Sequence, residues 1–160
     1  QGLGSSPFID GRSAQWTSPW EYRLDPTARR FELFEVNYAA KFGLGVAIDY
    51  ALDVGLEAID ARVTHLAALL RTALADEPGV EVHDQGQRRC GIVTFSVAGV
   101  IATQVATSLR ARRINTSSGT ASSAQFDLGL RGVPEIVRAS VHYYNTEDEV
   151  ERFVDAIRSI

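Results

Sequence analysis

Arg138 lies in the segment IVRASVHYY, residues 136–144, whose side chains alternate as in a β-strand. In such a strand Arg138 shares one face with Ser140, and we expect the opposite face, with Val137 and Ala139, to point into the core. A guanidinium fixed on a strand is suited to bind a carboxylate through two parallel hydrogen bonds. The position also suits an exposed ion pair with an acidic residue of a neighbouring helix. The spacing alone favours the exposed ion pair over the carboxylate site.

A hydroxyl-rich segment, NTSSGTASS at residues 115–123, precedes this strand. We expect the chain to enter it as a strand at Ile114 and then to form a loop. Ser117 and Ser118 could donate hydrogen bonds to a carboxylate or phosphate, so they are candidate substrate-binding residues. The segment lacks the GxxxxGK[ST] pattern of a nucleotide-binding loop, and on its own it favours a plain solvent-exposed loop over a binding loop.

The other reactive side chains show no pattern of a catalytic or metal site. The histidines and the single cysteine, Cys90, lack metal-ligand spacing. We expect His65 on a helix surface and His83 at the end of a strand. Cys90 fits a small buried residue better than a nucleophile. The sequence therefore predicts no catalytic residue and no metal ligand in this chain.

The elements that would position Arg138 follow from periodicity and capping signals. Residues 37–55 are apolar nearly all round, which predicts a helix buried on several sides. Residues 56–79 repeat Leu, Ile and Val at spacings of three and four, which is typical of an amphipathic helix. Thr146 and Glu149 form a capping box at the start of the last helix. A third helix is expected at 102–113, with short strands at 80–84 and 91–97.

These elements alternate irregularly, which favours an α+β fold: a small antiparallel-type sheet covered by helices on one side. We assign this domain to residues 37–160. Residues 1–36 contain Trp16 and Trp20 but no sustained helix or strand period. We expect them to form an irregular segment that packs on another domain or subunit, because exposed tryptophan pairs are unusual. A flexible N-terminal linker is the alternative.

Composition narrows the class of partner. The formal net charge of −4 argues against a nucleic-acid or anionic-membrane surface, and no apolar run approaches membrane-spanning length. A single cysteine fits a reducing cytoplasm. The chain contains no methionine, so we expect it to be part of a longer protein.

Several motifs, in this order, resemble the C-terminal half of class V aminotransferases, the pyridoxal 5'-phosphate (PLP) group that includes cysteine desulfurases and isopenicillin-N-epimerase-like proteins. RRFELFEVN resembles the segment that leads into the small domain, GIVTF resembles one of its strands, and VRASVHYYNTEDEVERFV resembles its closing signature. The resemblance implies the small domain of a fold-type I PLP enzyme that acts on an amino acid.

The resemblance also implies roles for particular residues. Arg138 falls on the arginine that binds the substrate α-carboxylate. Asn37 falls in a segment that reaches the cofactor phosphate of the partner subunit in a homodimer, although Glu35 replaces the usual threonine there. The lysine that carries PLP lies upstream, in a large domain that this chain lacks, and Lys41, the one lysine here, matches no cofactor position. The fragment alone is therefore expected to be inactive.

One further residue type matters for the reaction. The loop before the last strand carries the nucleophilic cysteine of cysteine desulfurases, and this chain has INTSSGTASSAQ there. The resemblance thus favours aminotransferase, epimerase or lyase chemistry without that cysteine. The alternative class is a stand-alone, non-catalytic α+β module that binds a small acid or mediates dimerisation.

Overall fold

The computed structural model describes residues 8–160, so the first seven residues of the segment expected at 1–36 lie outside the described residues. The chain divides into two compact units, one ending at Asp53 and one running from Val54 to Ile160. The domain boundary expected between residues 36 and 37 stays a prediction.

The first unit contains a β-hairpin where the sequence predicted an irregular segment. Strands β1 (Ala14–Ser18) and β2 (Glu21–Leu24) pair antiparallel. Trp16 opposes Tyr22 across the hairpin with the rings edge-on and their centroids 6.3 Å apart. The expectation of an irregular segment was wrong here. The two strands do alternate apolar and polar residues, but only over four or five positions and without a buried residue, so the period is too short to stand out in the sequence.

Helix α1 (Tyr38–Val54) follows, as the sequence predicts. The Asn37 side-chain oxygen accepts a hydrogen bond of 2.9 Å from the backbone nitrogen of Ala40 and so caps the first turn. The prediction that this helix is buried on several sides does not hold within the described residues, because none of its side chains is buried there. Its apolar residues lie on all sides of the helix.

The second unit contains the predicted α+β domain. A four-stranded antiparallel sheet has the order β3-β4-β6-β5. The strands and helices in chain order are α2 (Leu56–Ala75), β3 (Val80–Val82), β4 (Ile92–Val97), α3 (Ala102–Ala111), β5 (Ser117–Thr120), β6 (Glu135–Ser140) and α4 (Glu147–Arg158).

The helices cover one face of this sheet, as predicted. Fully or nearly fully buried side chains of β4 and β6 meet the apolar stripe of α2 and the stripe of α4. Phe95 of β4 and Phe153 of α4 pack edge-on with centroids 5.9 Å apart. The remaining members of this core include Leu66, Leu70, Leu74, Val93, Val105, Leu109, Val137, Val154 and Ile157.

Strand β5 corrects the loop expected at residues 115–123. Ser117–Thr120 form the edge strand beside β6, and the connection to β6 contains a 3-10 turn (Ala121–Ser123) and a π-helical turn (Gln125–Gly129). Serine and glycine have low strand propensity, so side-chain type predicts a loop. The backbone of β6 supplies the pairing partner, which side-chain pattern does not reveal. Among residues 8–160, no helix combines the length and apolarity needed to cross a bilayer.

Candidate functional site

Arg138 lies in the middle row of the sheet face that the helices leave open. Its Cα partners are Thr94 on β4 and Ser117 on β5, so these three side chains stand side by side on one face. Val137 and Ala139 are buried on the opposite face, as the alternation predicts, and Arg138 itself is exposed. The structure thus brings together Arg138 and one of the two predicted serines.

The predicted serines differ in position. Ser117 belongs to the Arg138 row, whereas Ser118 opposes Val137 and therefore belongs to the helix-covered side of the sheet. Both are exposed. Neither side chain has a hydrogen-bond partner among the described residues, so the Ser117 hydroxyl is available to a ligand at Arg138.

The Arg138 side chain has no polar partner among the described residues, and we call such a guanidinium uncommitted. Among residues 8–160 its guanidinium makes no hydrogen bond and no ion pair, although most arginines of the second unit do so. The ion pair with a helix acid, one of the two interpretations of the sequence, is therefore absent from the described part of the chain. A guanidinium has five donors and no acceptor, so this group is available to an anion.

A buried ion pair lies on the other side of Thr94. The Arg71 Nε donates to Asp84 Oδ2 at 2.6 Å, and the two side chains are only 10% and 8% exposed. Arg71 also donates to the backbone oxygens of Cys90 and Ile92, at 2.6 and 2.9 Å. Asp84 Oδ1 accepts from the backbone nitrogen of Thr94 at 2.8 Å and from its hydroxyl at 2.6 Å.

Sequence reasoning missed this group. Its members are separated along the chain by up to 23 positions and lie on α2, on the segment after β3 and on β4. Two signals were present: an arginine directly after Leu70 of the apolar stripe of α2, and an aspartate at the end of a strand.

A second network fixes the turn between β6 and α4. The Asn145 side chain accepts from the backbone nitrogen of His142 at 2.8 Å and donates to Glu149 at 2.9 Å. Thr146 and Glu149 complete the predicted capping box, with hydrogen bonds of 3.2 and 3.1 Å. Hydrogen bonds from the Asn145 side chain and the Thr146 backbone lower the pKa of Glu149.

Arg62 connects this turn to α2. It pairs with Glu147 and donates to the backbone oxygen of Asn145 at 2.9 Å. The hydrogen bond from Arg62 is the main reason that the pKa of Glu147 falls to about 2 from its ordinary value of 4.5. The network holds the chain that leaves Ser140 against α2, and so supports the strand that carries Arg138.

The remaining candidates lie elsewhere. Cys90 is exposed, so the expected burial was wrong: it sits in the loop before β4, where only its backbone oxygen is engaged by Arg71. His65 is exposed on α2, as predicted. His83 is buried directly after β3, with Nε2 2.9 Å from the Ser96 hydroxyl. Asn37 and Lys41 belong to the first compact unit.

Comparison with known proteins decides the family. The family model described as aminotransferase class-V matches residues 8–153, which is most of the chain. This chain belongs to the class V aminotransferase family. It is 31% identical over 131 residues to a probable cysteine desulfurase of Xylella fastidiosa strain Temecula1, covering 82% of this chain and 31% of that protein.

Other class V relatives agree. A cysteine desulfurase of Serratia proteamaculans is 33% identical, over 82% of this chain and 32% of its own length. The solved cysteine desulfurase of Thermococcus onnurineus has a TM-score of 0.75 and 30% identity, covering 96% of this chain and 38% of that one. The chain thus spans about a third of the length of the relatives that it matches.

Proposed function

We propose that this class V aminotransferase chain is the C-terminal part of a PLP-dependent enzyme that acts on an amino acid, and that Arg138 binds the substrate α-carboxylate. The observation that carries the proposal is the uncommitted guanidinium of Arg138 on the open face of the sheet. Its neighbour Ser117 adds a hydroxyl that can donate to the same carboxylate.

Two physical arguments favour a carboxylate as the ligand. The planar guanidinium matches both oxygens of a carboxylate, which gives two parallel charge-assisted hydrogen bonds. The nearest acid in the network beside it, Asp84, already receives hydrogen bonds from Arg71 and Thr94 on both oxygens, so it does not compete for Arg138. A substrate carboxylate would then supply the missing negative charge.

The residues of this chain fit the substrate rather than the cofactor. PLP is held through a lysine and acts as an electron sink that weakens a bond at the substrate Cα. The only lysine in the sequence, Lys41, lies on α1 in the other compact unit. The side-chain oxygen of Asn37 caps α1. Its side-chain NH2 group remains available as a donor, and we assign that group to the cofactor phosphate.

The wider architecture follows from the same proposal. A large domain upstream supplies the lysine, and the enzyme is a cytoplasmic homodimer, in which Asn37 serves the cofactor of the partner subunit. Transamination, epimerisation and elimination all start by breaking a bond at Cα, so a carboxylate clamp at Arg138 serves each of them.

Cysteine desulfurase activity is the second candidate, because the similar proteins carry that name. That chemistry needs a cysteine nucleophile, and residues 114–125 contain none. Cys90 precedes β4 rather than β6, four residues before Thr94. The proposed reaction therefore does not use a cysteine of the β5 segment.

The test is Arg138→Ala in the intact protein. We expect the dissociation constant of L-alanine, measured by calorimetry, to rise by about 10- to 100-fold, because a charge-assisted hydrogen bond contributes about 1.5–3 kcal/mol. Ethylamine, which lacks the carboxylate, should bind unchanged, and the visible absorbance band of PLP should persist.

Arg110→Ala is the matched control, since Arg110 is an exposed arginine of α3 without a partner among the described residues. Unchanged affinity of Arg138→Ala for L-alanine contradicts the carboxylate assignment. An intact protein that binds L-alanine through Arg138 but shows no PLP band supports the non-catalytic acid-binding module instead.

A further inference from the structure

The hydroxyl of Thr94 can only accept further hydrogen bonds. Its proton is donated to Asp84 Oδ1 at 2.6 Å, and a threonine hydroxyl has a single proton. The oxygen can therefore act only as an acceptor toward any further group. Its β-branched side chain is also held in one rotamer by that hydrogen bond.

The carboxylate that fixes Thr94 is itself fixed. Asp84 receives Arg71 Nε on Oδ2, and the Thr94 backbone nitrogen and hydroxyl on Oδ1. Both charged side chains are about nine-tenths buried, and Arg71 is tied to two backbone oxygens of the β4 segment. A buried ion pair with hydrogen bonds on both carboxylate oxygens and on two guanidinium nitrogens is rigid, since movement would leave a buried charge unpaired.

Thr94 stands directly beside Arg138. They are Cα partners in the antiparallel pair of β4 and β6, which places their Cβ atoms about 4.5–5.5 Å apart on the same face. The guanidinium has donors only, and the Thr94 oxygen is now an acceptor only, so the two groups are complementary. The same oxygen has no proton to offer a carboxylate.

We propose that Thr94, held by Asp84 and Arg71, is a positioning residue. The two side chains of Thr94 and Arg138 share no hydrogen bond in the structure, and when a carboxylate binds, the Thr94 oxygen accepts one from the Arg138 guanidinium and orients it. Arg71 has a second role: because it forms the ion pair with Asp84, that carboxylate does not pair with Arg138. Ser117, on the other side of Arg138, keeps its hydroxyl proton for the substrate. The inference rests on the proposed role of Arg138.

The test is a double-mutant cycle in the intact protein, with the dissociation constants of L-alanine and ethylamine as readouts. Thr94→Val removes the hydroxyl but keeps the shape and the strand preference of the side chain, and the backbone nitrogen still donates to Asp84. We expect L-alanine to bind about tenfold more weakly and ethylamine to bind unchanged. Thr94→Ser, which keeps the hydroxyl, should restore affinity to within about twofold.

In the Arg138→Ala background, Thr94→Val should have no further effect on L-alanine, because its effect passes through Arg138. The control Thr107→Val makes the same change at an exposed position of α3. An equal loss in both backgrounds, or no loss in either, overturns the positioning role. If Arg138→Ala itself leaves L-alanine affinity unchanged, the proposed function fails and this inference fails with it.

Discussion

Arg71 and Arg138 lie on opposite sides of Thr94, and they differ in whether their side chains have hydrogen-bond partners. Arg71 is nine-tenths buried and donates to one carboxylate and two backbone oxygens. Arg138 is exposed and makes no such contact among the described residues. The first is a structural cation, and the second is available to a ligand.

This difference leads to a stability prediction at Arg71. Arg71→Ala leaves the Asp84 carboxylate buried without its counter-charge, so we expect the free energy of unfolding to fall by about 3–5 kcal/mol. Arg110→Ala is the control, because Arg110 is an exposed arginine of α3 whose side chain has no partner among the described residues. It should cost about 1 kcal/mol or less in the same urea titration. Equal losses at the two positions would contradict the structural role of Arg71.

Arg138 and Arg71 also differ in how well the sequence predicts their surroundings. Alternation along β6 correctly placed Arg138 opposite Val137 and Ala139, because period-two burial is a local property. The contact of Arg71 with Asp84 depends instead on how α2 packs on the sheet. Such a contact is set by tertiary structure, and no local pattern encodes it.

Among the elements, α4 is the one whose position depends most clearly on charge. Arg62 of α2 pairs with Glu147 in the first turn of α4, where a negative charge also favours the helix dipole. Because the pKa of Glu147 is about 2 in the folded chain and 4.5 ordinarily, the carboxylate stabilises the fold at pH values above 4.5. That contribution is lost as the pH falls from 4.5 through 2.

Glu147→Gln therefore has a predicted pH dependence. The melting temperature of the variant should lie below that of the parent at pH 7, and the gap should narrow as the pH falls from 4.5 to 3. The control Glu151→Gln removes another carboxylate of α4, one without a cation partner among the described residues. A gap for Glu147→Gln that stays constant down to pH 3 would show that its pairing with Arg62 does not stabilise the fold.

The elements divide into those with and without a local signal. Helices α2 and α4 and strand β4 were predicted because a stripe or a run of apolar residues records their burial. Strands β1, β2 and β5 were missed because their side chains record no burial, and strand pairing there depends on the partner backbone. The candidate site was half predictable for the same reason: its strand has a local pattern and its supporting network has none.

For the whole molecule, the decisive fact is where the core lies. Every buried apolar side chain of the described residues falls between Leu66 and Ile157, inside the second compact unit. Helix α1 contains no buried residue, although it is rich in apolar side chains. The free energy of folding must therefore come almost entirely from the second unit, since apolar burial is the dominant favourable contribution.

We accordingly predict that residues 54–160 fold without the segment before them. This piece retains Gly55, the residue before α2, which has a φ of +95°. It also retains the whole four-stranded sheet. Its unfolding in urea should be a single cooperative transition with a free energy within about 1 kcal/mol of that of the second unit in the longer chain. Far-UV circular dichroism is the suitable probe, because Trp16 and Trp20 both lie outside the piece.

Phe95→Ala in the same piece tests whether this transition reports the core. Phe95 is fully buried against Phe153, so its truncation should cost about 3–5 kcal/mol. Phe126→Ala is the control, since Phe126 is 94% exposed and its truncation should change stability by about 0.5 kcal/mol or less. A broad, non-cooperative transition that Phe95→Ala leaves unchanged would mean that the second unit needs the preceding chain to form its core.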